Sequence, residues 1–200
     1  MLDAKTIAIY NEKAAEYAAL TKTAKPDASL QAFIDLMPDG GRVLDLGCGP
    51  ATASVHMRAA GLSPDPVDAS PRMVEFANQN HNIGARLATF DDIKGTDEYD
   101  GVWANFSLLH APRQKLPEHF SAIHQALKPA GILHIGMKTG SGTVRDAIER
   151  LYTYVSIEEL KNMLTTAGFT IVFTREGVEK GLAGTADPFV IMRAKKETNA

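Results

Sequence analysis

A single cysteine, Cys48, among 200 residues leaves no partner for an internal disulfide, so the chain is not a stapled secreted scaffold and must be held by its core. No apolar run approaches the roughly 18 residues that suggest a membrane-spanning helix. The opening segment MLDAKTIAIYNEK lacks the apolar stretch of a secretory signal, and the expected location is the cytoplasm. Positive charge is not in excess either: 21 Lys and Arg stand against 24 Asp and Glu, for a net charge of −3 and a pI near 6.1. Nucleic-acid binders usually present a basic face, so a large RNA or DNA substrate is disfavoured. There is no repeat, no long linker and no His/Asp/Glu cluster of metal-site type, and no metal is expected. What the chain does have is 44% hydrophobic residues, enough for one domain of this length to bury a substantial core.

Short apolar runs of β type alternate with helical patterns, which is how a mostly parallel sheet covered by helices reads, and residues 1–200 are taken as one α/β domain. Ile7, Tyr10, Ala14 and Tyr17 recur at three- and four-residue spacing and predict a helix over 3–20, followed by a second over 29–37. Residues 1–38 thus form an N-terminal helical cap, 39–195 the core and 196–200 a frayed tail. Strands are expected at 42–46, in a short run ending at Val67-Asp68, at 85–89, at 99–106 and at 132–137. A terminal antiparallel pair follows at 170–175 and 189–194, joined by the glycine-rich stretch 177–187. The nearly continuous apolar run 99–106 suits a strand buried on both faces, hence a central one. Helices are expected at 52–60, at 71–79 behind an N-cap at Ser70 and a proline at its first position, and along the face of Leu116, Phe120, Ile123 and Leu127. Ser156-Ile157-Glu158-Glu159 is a capping box that starts a last helix, ended by Gly168.

Chemistry concentrates at Asp45-Leu46-Gly47-Cys48-Gly49-Pro50-Ala51, directly after the first strand. Glycines there let backbone approach a ligand closely, although a ligand-free tight turn would use the same residues. Asp68, 23 residues beyond Asp45 at the end of the next strand, adds a carboxylate placed to accept both ribose hydroxyls of an adenosine moiety. A dinucleotide fingerprint would continue as GxGxxG, but the sixth position from Gly47 is Thr52, which disfavours NAD and FAD.

From Val43 to Arg193 the chain resembles the class I S-adenosylmethionine (SAM)-dependent methyltransferases. The resemblance lies in VLDLGCGPA, VDASPRM, ATFDDI, YDGVWANFSLLH, LKPAGILHIG and the terminal strand pair, in that order. Ala51 departs from the family pattern, where a third glycine is frequent. The resemblance implies a Rossmann-like fold whose seven-stranded sheet has the order 3-2-1-4-5-7-6, strand seven antiparallel, with SAM across its carboxyl edge. It places Asp45, Gly47, Cys48 and Gly49 around the methionine part of SAM, Asp68 at the ribose, and Ala69 and Met73 beside the adenine. Asp91 or Asp92 would receive the adenine amino group, with Phe90 or Ile93 packing nearby, and Asn105 and Phe106 would meet the methionine amino group or the methyl.

The expected reaction is in-line displacement of the methyl group by a nucleophile, in which alignment alone is worth about 7–11 kcal/mol. His110 is the candidate general base, since the strand-four loop lies beside the methyl in the resembling family; the alternative is a histidine bonded to a backbone carbonyl. Tyr10 and Tyr17 lie on the N-terminal helix, which often covers the cofactor in these enzymes and would bring Tyr17 to SAM, while core packing explains their spacing equally well. Lys138, Arg145 and Arg150, with Tyr152 and Tyr154, fall where the family lines its acceptor pocket, either to hold an acidic acceptor or as a solvated cluster. Asn105-Phe106-Ser107-Leu108 lacks both prolines of the amino-group methylases of DNA bases or glutamine, and no cysteine outside the glycine turn remains to attack a pyrimidine. The expected acceptor is a small O, N, S or C nucleophile. The alternatives are a tRNA or protein methyltransferase and a non-enzymatic SAM-binding module.

Overall fold

The computed structural model describes residues 3–180 and 182–197. Its main sheet is built from β1 (Arg42–Leu46), β2 (Ser63–Asp68), β3 (Arg86–Leu87), β4 (Tyr99–Asn105), β5 (Leu127–Lys138), β8 (Phe169–Lys180) and β9 (Ala186–Lys196), in the order β3-β2-β1-β4-β5-β9-β8. A separate hairpin, β6 (Thr143–Arg145) and β7 (Leu151–Thr153), stands outside that sheet; with it set aside, the order is the expected 3-2-1-4-5-7-6. β1 pairs in parallel with both β2 and β4, β4 pairs in parallel with β5, and β9 runs antiparallel to β5 and β8. The strand order therefore reverses beside β1 and β4. Above their carboxyl ends lies the crevice in which open α/β sheets bind ligands.

The helices are α1 (Ala4–Glu12), α2 (Ala14–Thr21), α3 (Ala28–Ile34), α4 (Thr52–Ala59), α5 (Pro71–His81), α6 (Leu116–Ala126) and α7 (Ile157–Thr166). Ser70 caps α5 by accepting from Met73 N–H at 3.2 Å, and the Ser156/Glu159 box at α7 is complete, with bonds of 3.0 and 3.3 Å. One core layer packs α6 and α7 on the sheet through Leu116, Phe120, Ile123, Leu160 and Leu164. On the other side Phe33 of α3 packs on Trp103 of β4, with ring centroids 5.2 Å apart.

Several boundaries differ from expectation. The helix over 3–20 is two helices, because Lys13 leaves helical geometry (φ −97°, ψ 15°) and turns the chain between them. The third strand is two residues instead of 85–89, since Phe90–Asp92 winds into a 3₁₀ turn. β5 begins at Leu127, so Pro129 and Gly131 lie inside a strand instead of before it. β8 and β9 extend well into the glycine-rich stretch 177–187, of which residue 181 lies outside the described residues. Lys196 belongs to β9 and not to a frayed tail: its ammonium binds Asp97 at 2.8 Å and the Leu127 carbonyl at 2.6 Å. Residues 198–200 of that tail lie outside the described residues. Ala51 takes φ +62°, a conformation that a third glycine would adopt without strain, and its methyl is buried with Cys48, Ala77 and Ile83.

Candidate functional site

A partly open cavity lies over the carboxyl ends of β1, β2 and β4. Its floor is the turn after β1, where Gly47 and Cys48 donate their N–H groups to the Val67 carbonyl, both at 2.9 Å, and so tie the turn to β2. Gly47 has φ +77°, and a Cβ there would stand 2.4 Å from Ser107 Cβ, which explains why no larger residue serves. Asp68 closes one wall: its Oδ2 accepts from Gly49 N–H and its Oδ1 from Ser70 N–H, each at 2.8 Å. Burial pushes the Asp68 carboxyl above its ordinary range, opposed by those two donors. Each oxygen keeps a lone pair for a ligand hydroxyl.

Ala69, Met73 and Phe90 form the apolar side of this cavity, and Asn105 and Phe106 the opposite side. Phe106 sits at φ +57°, an unfavourable region for a bulky side chain, and this bend turns the chain out of β4 at the cavity. Tyr17 and His110 also line it. Ten of the residues expected at the site therefore share one cavity.

Four do not line it. Asp45 lies between Leu44 and Leu46 and turns inward, accepting from Ser54 Oγ at 2.6 Å; burial pushes its carboxyl up to about 7, opposed by that bond. It ties β1 to the start of α4. Cys48 packs with Ala51, Ala77 and Ile83, and burial pushes its thiol up, which leaves it inert. Asp91 and Asp92 are exposed on the 3₁₀ turn, and Asp92 accepts from Thr89 N–H at 2.9 Å and Thr89 Oγ at 2.8 Å as a capping group.

The cavity also contains residues that the sequence did not assign to it. Ser107 Oγ is buried without a hydrogen-bond partner among the described residues. Asp3, Thr6 and Ile7 bring α1 over the opening. That helix is fastened at several points: Arg145 binds both Asp3 oxygens at 3.0 and 2.9 Å, and Thr6 Oγ accepts from Leu151 N–H at 2.9 Å. Asn11 Oδ1 accepts from Ser70 Oγ at 2.8 Å.

His110 is held on both sides. The Leu151 carbonyl only accepts, so Nδ1 carries the proton and donates to it at 2.8 Å. Nε2 therefore accepts from the Tyr10 hydroxyl at 2.9 Å, and Tyr10 in turn accepts from Arg150 at 2.9 Å. Burial pushes the His110 imidazolium down to about 4, so the ring is neutral near pH 7.

Beyond Asn105 and Phe106 a second open cavity shares Tyr10 and Tyr17 with the first. Phe106 and Phe189 meet edge to face in its wall at 5.5 Å, and Tyr152 lies beside them. The expected basic cluster is split: Lys138 and Arg150 are buried, Arg145 is exposed, and each is paired with a carboxylate. Lys138 pairs with Asp187 and lies 4.1 Å over the Tyr152 ring, Arg150 is bound to Asp146 at 2.7 Å in a buried pair, and Arg145 is bound to Asp3.

Comparison with known proteins agrees with this fold. A family profile described as a methyltransferase domain matches residues 14–173, so the chain belongs to that methyltransferase family. It is 29% identical over 132 residues to YqeM of Bacillus subtilis, a protein named as a methyltransferase, covering 62% of this chain and 53% of that one. The chain thus spans about half the length of the curated relatives it matches. Among solved structures it is similar to the Burkholderia thailandensis 1,6-didemethyltoxoflavin-N1-methyltransferase, bound to its acceptor and S-adenosylhomocysteine (SAH): TM-score 0.73, 21% identity, 97% of this chain and 88% of that one. It is also similar to the [4+2]-cyclase SpnF, with TM-score 0.72, 16% identity and coverage of 96% and 95%. These similarities show the class I SAM-dependent methyltransferase fold.

Proposed function

We propose that this protein binds SAM in the cavity over the glycine turn and transfers its methyl group to a small planar acceptor in the neighbouring aromatic cavity. The observation that carries the reading is the meeting of the two cavities at Asn105 and Phe106. The residues present suit the donor: Asp68 offers two acceptor oxygens, Ser107 an unpartnered hydroxyl, and Met73 and Phe90 an apolar wall for a base.

When bound, SAM supplies a methyl group already activated by its sulfonium. The protein's part is alignment: Asp68 and the turn fix one reactant, the rings of Phe106, Phe189 and Tyr152 the other. With Lys138 and Arg150 compensated by carboxylates, the acceptor cavity suits an uncharged aromatic molecule better than an acid. The Burkholderia neighbour, whose acceptor is 1,6-didemethyltoxoflavin, supports a small-molecule reading. His110, neutral and bonded at both nitrogens, serves chiefly to seat Tyr10 between the cavities.

Calorimetry with SAH, followed by a screen of phenols, heteroaromatic N–H compounds and thiols read as SAH release from SAM, tests the proposal. Micromolar SAH binding without NAD binding, and turnover of at least one acceptor, is expected. NAD binding without SAH binding overturns the donor assignment, and SAH binding with no turnover of any small molecule would favour a binding module or a macromolecular substrate.

A further inference from the structure

Asn105 stands at the end of β4 where the two cavities meet, and its carboxamide oxygen is engaged from behind by a residue that touches neither cavity. His134, on the neighbouring strand β5, is completely buried; its ring is stacked on Trp103 at 3.7 Å and 18°, with Phe33 against its edge. Its Nε2 lies 3.2 Å from Asn105 Oδ1. A carboxamide oxygen only accepts, so Nε2 must carry the proton, and Nδ1, buried without a partner among the described residues, is left as a bare lone pair. The ring has one tautomer that serves its neighbour.

The backbone is arranged for this contact. Asn105 pairs in register with Gly136 of β5, and a Cβ at Gly136 would lie 2.9 Å from Asn105 Oδ1 and 3.2 Å from the Phe106 ring. Absence of that one carbon lets the amide lie back against His134.

Resting on the methyl-transfer reading, we infer that His134 is a positioning residue. By holding Oδ1 of Asn105 it leaves the amide NH₂ as the group presented at the junction of the cavities. Asn105 is then a hydrogen-bond donor there. The acceptor it suits carries an oxygen or nitrogen lone pair on or next to the reacting atom, as a phenol or a heteroaromatic nitrogen compound does. A thiol, whose sulfur is a weak acceptor, gains little from it.

The test uses the ¹⁵N-labelled protein and the variants His134→Phe, which keeps the stacking surface, and His134→Gln, which keeps a terminal N–H donor. In the wild type, nitrogen shifts should report the Nε2–H tautomer of His134. His134→Phe should displace the Asn105 side-chain NH₂ resonances, and His134→Gln should return them toward the wild-type position. In the screen above, His134→Phe should lower turnover of the best phenol or heteroaromatic acceptor at least tenfold, His134→Gln should recover most of it, and SAH affinity should stay within twofold in both. An Nδ1–H tautomer, or Asn105 resonances indifferent to His134→Phe, overturns the positioning role. Turnover of thiols alone overturns the acceptor class. Failure of the wild type to bind SAH instead removes the methyl-transfer reading, while the tautomer and the Asn105 resonances still report on the His134 contact.

Discussion

Asp68 holds two backbone donors, so its carboxylate joins β2 to both the glycine turn and the start of α5 while still facing the cavity. Asp68→Asn keeps the size but replaces one acceptor oxygen by a donor that opposes a backbone N–H. SAH affinity should fall at least tenfold by calorimetry, since charge-assisted bonds are worth about 1.5–3 kcal/mol each, and an unchanged affinity would place the ribose elsewhere. His110 invites a different substitution. His110→Phe keeps the ring contacts with Tyr10 and Tyr152 but removes the bonds to Tyr10 and Leu151. We expect weaker SAH binding and a loss of turnover below about tenfold, because only seating is lost. A fall of about 10²-fold in turnover with SAH affinity intact would instead make His110 the proton acceptor. Spacing exposed Asp68 in the sequence, because it closes the strand that follows the glycine turn, 23 residues beyond Asp45. Asp45 carried a similar signal and differs only in side-chain direction, which spacing along one strand does not reveal when both faces are buried. Ser107 carried none, since one small polar residue has no periodicity.

Among the elements, the β6–β7 hairpin is the one that sequence patterning missed. Its strands have three residues each, β6 is exposed throughout, and neither shows the alternation that marks a half-buried strand. Its turn is organised by Asp146, whose Oδ1 accepts from Ile148 N–H at 3.1 Å and Arg150 N–H at 2.9 Å while Oδ2 binds the Arg150 guanidinium. The hairpin then supplies Arg145, Arg150 and the Leu151 backbone to α1. Asp146→Ala leaves a buried Arg150 charge uncompensated, a change that typically costs about 3–5 kcal/mol. A marked drop in melting temperature is expected. Asp3→Ala is the milder probe, cutting the link between Arg145 and α1 together with the N-cap bonds to Thr6: it should lower stability by about 0.5–2 kcal/mol, well short of Asp146→Ala, and raise amide exchange in residues 4–12. Protection equal to wild type would mean that packing alone seats α1. The break at Lys13 escaped the sequence reading because neither glycine nor proline marks it.

For the whole molecule, β1, β4 and β5 were legible as apolar runs between helical patterns, while the order of the strands came from the family resemblance, whose motifs fall at the strand ends. Stability should follow the buried titratable groups. Histidines of the unfolded chain take up a proton near pH 6.5, whereas burial, assisted by Arg193 and Arg175, keeps His134 neutral down to about 3, and burial keeps His110 neutral down to about 4. The unfolded state therefore binds more protons below pH 6.5, and stability falls as pH drops from there toward 4. Asp45 acts in the opposite sense: with its carboxyl raised to about 7, its contribution is present at low pH and is lost as pH rises through 7. Melting temperatures of His134→Phe should thus decline less between pH 6.5 and 4 than those of wild type. Parallel curves would show that His134 does not stay neutral in the folded protein.

Tyr10 and Tyr17 border both cavities, and the helices that carry them are pinned to α5 and to the β6–β7 hairpin. One door thus serves two rooms. In the proposed reaction the donor would lie beneath the same cover that the acceptor must pass. Steady-state kinetics should accordingly be ordered, with SAH competitive against SAM and non-competitive against the acceptor. Release of product should be quickened by salt that weakens the Asp3–Arg145 and Lys5–Glu149 links.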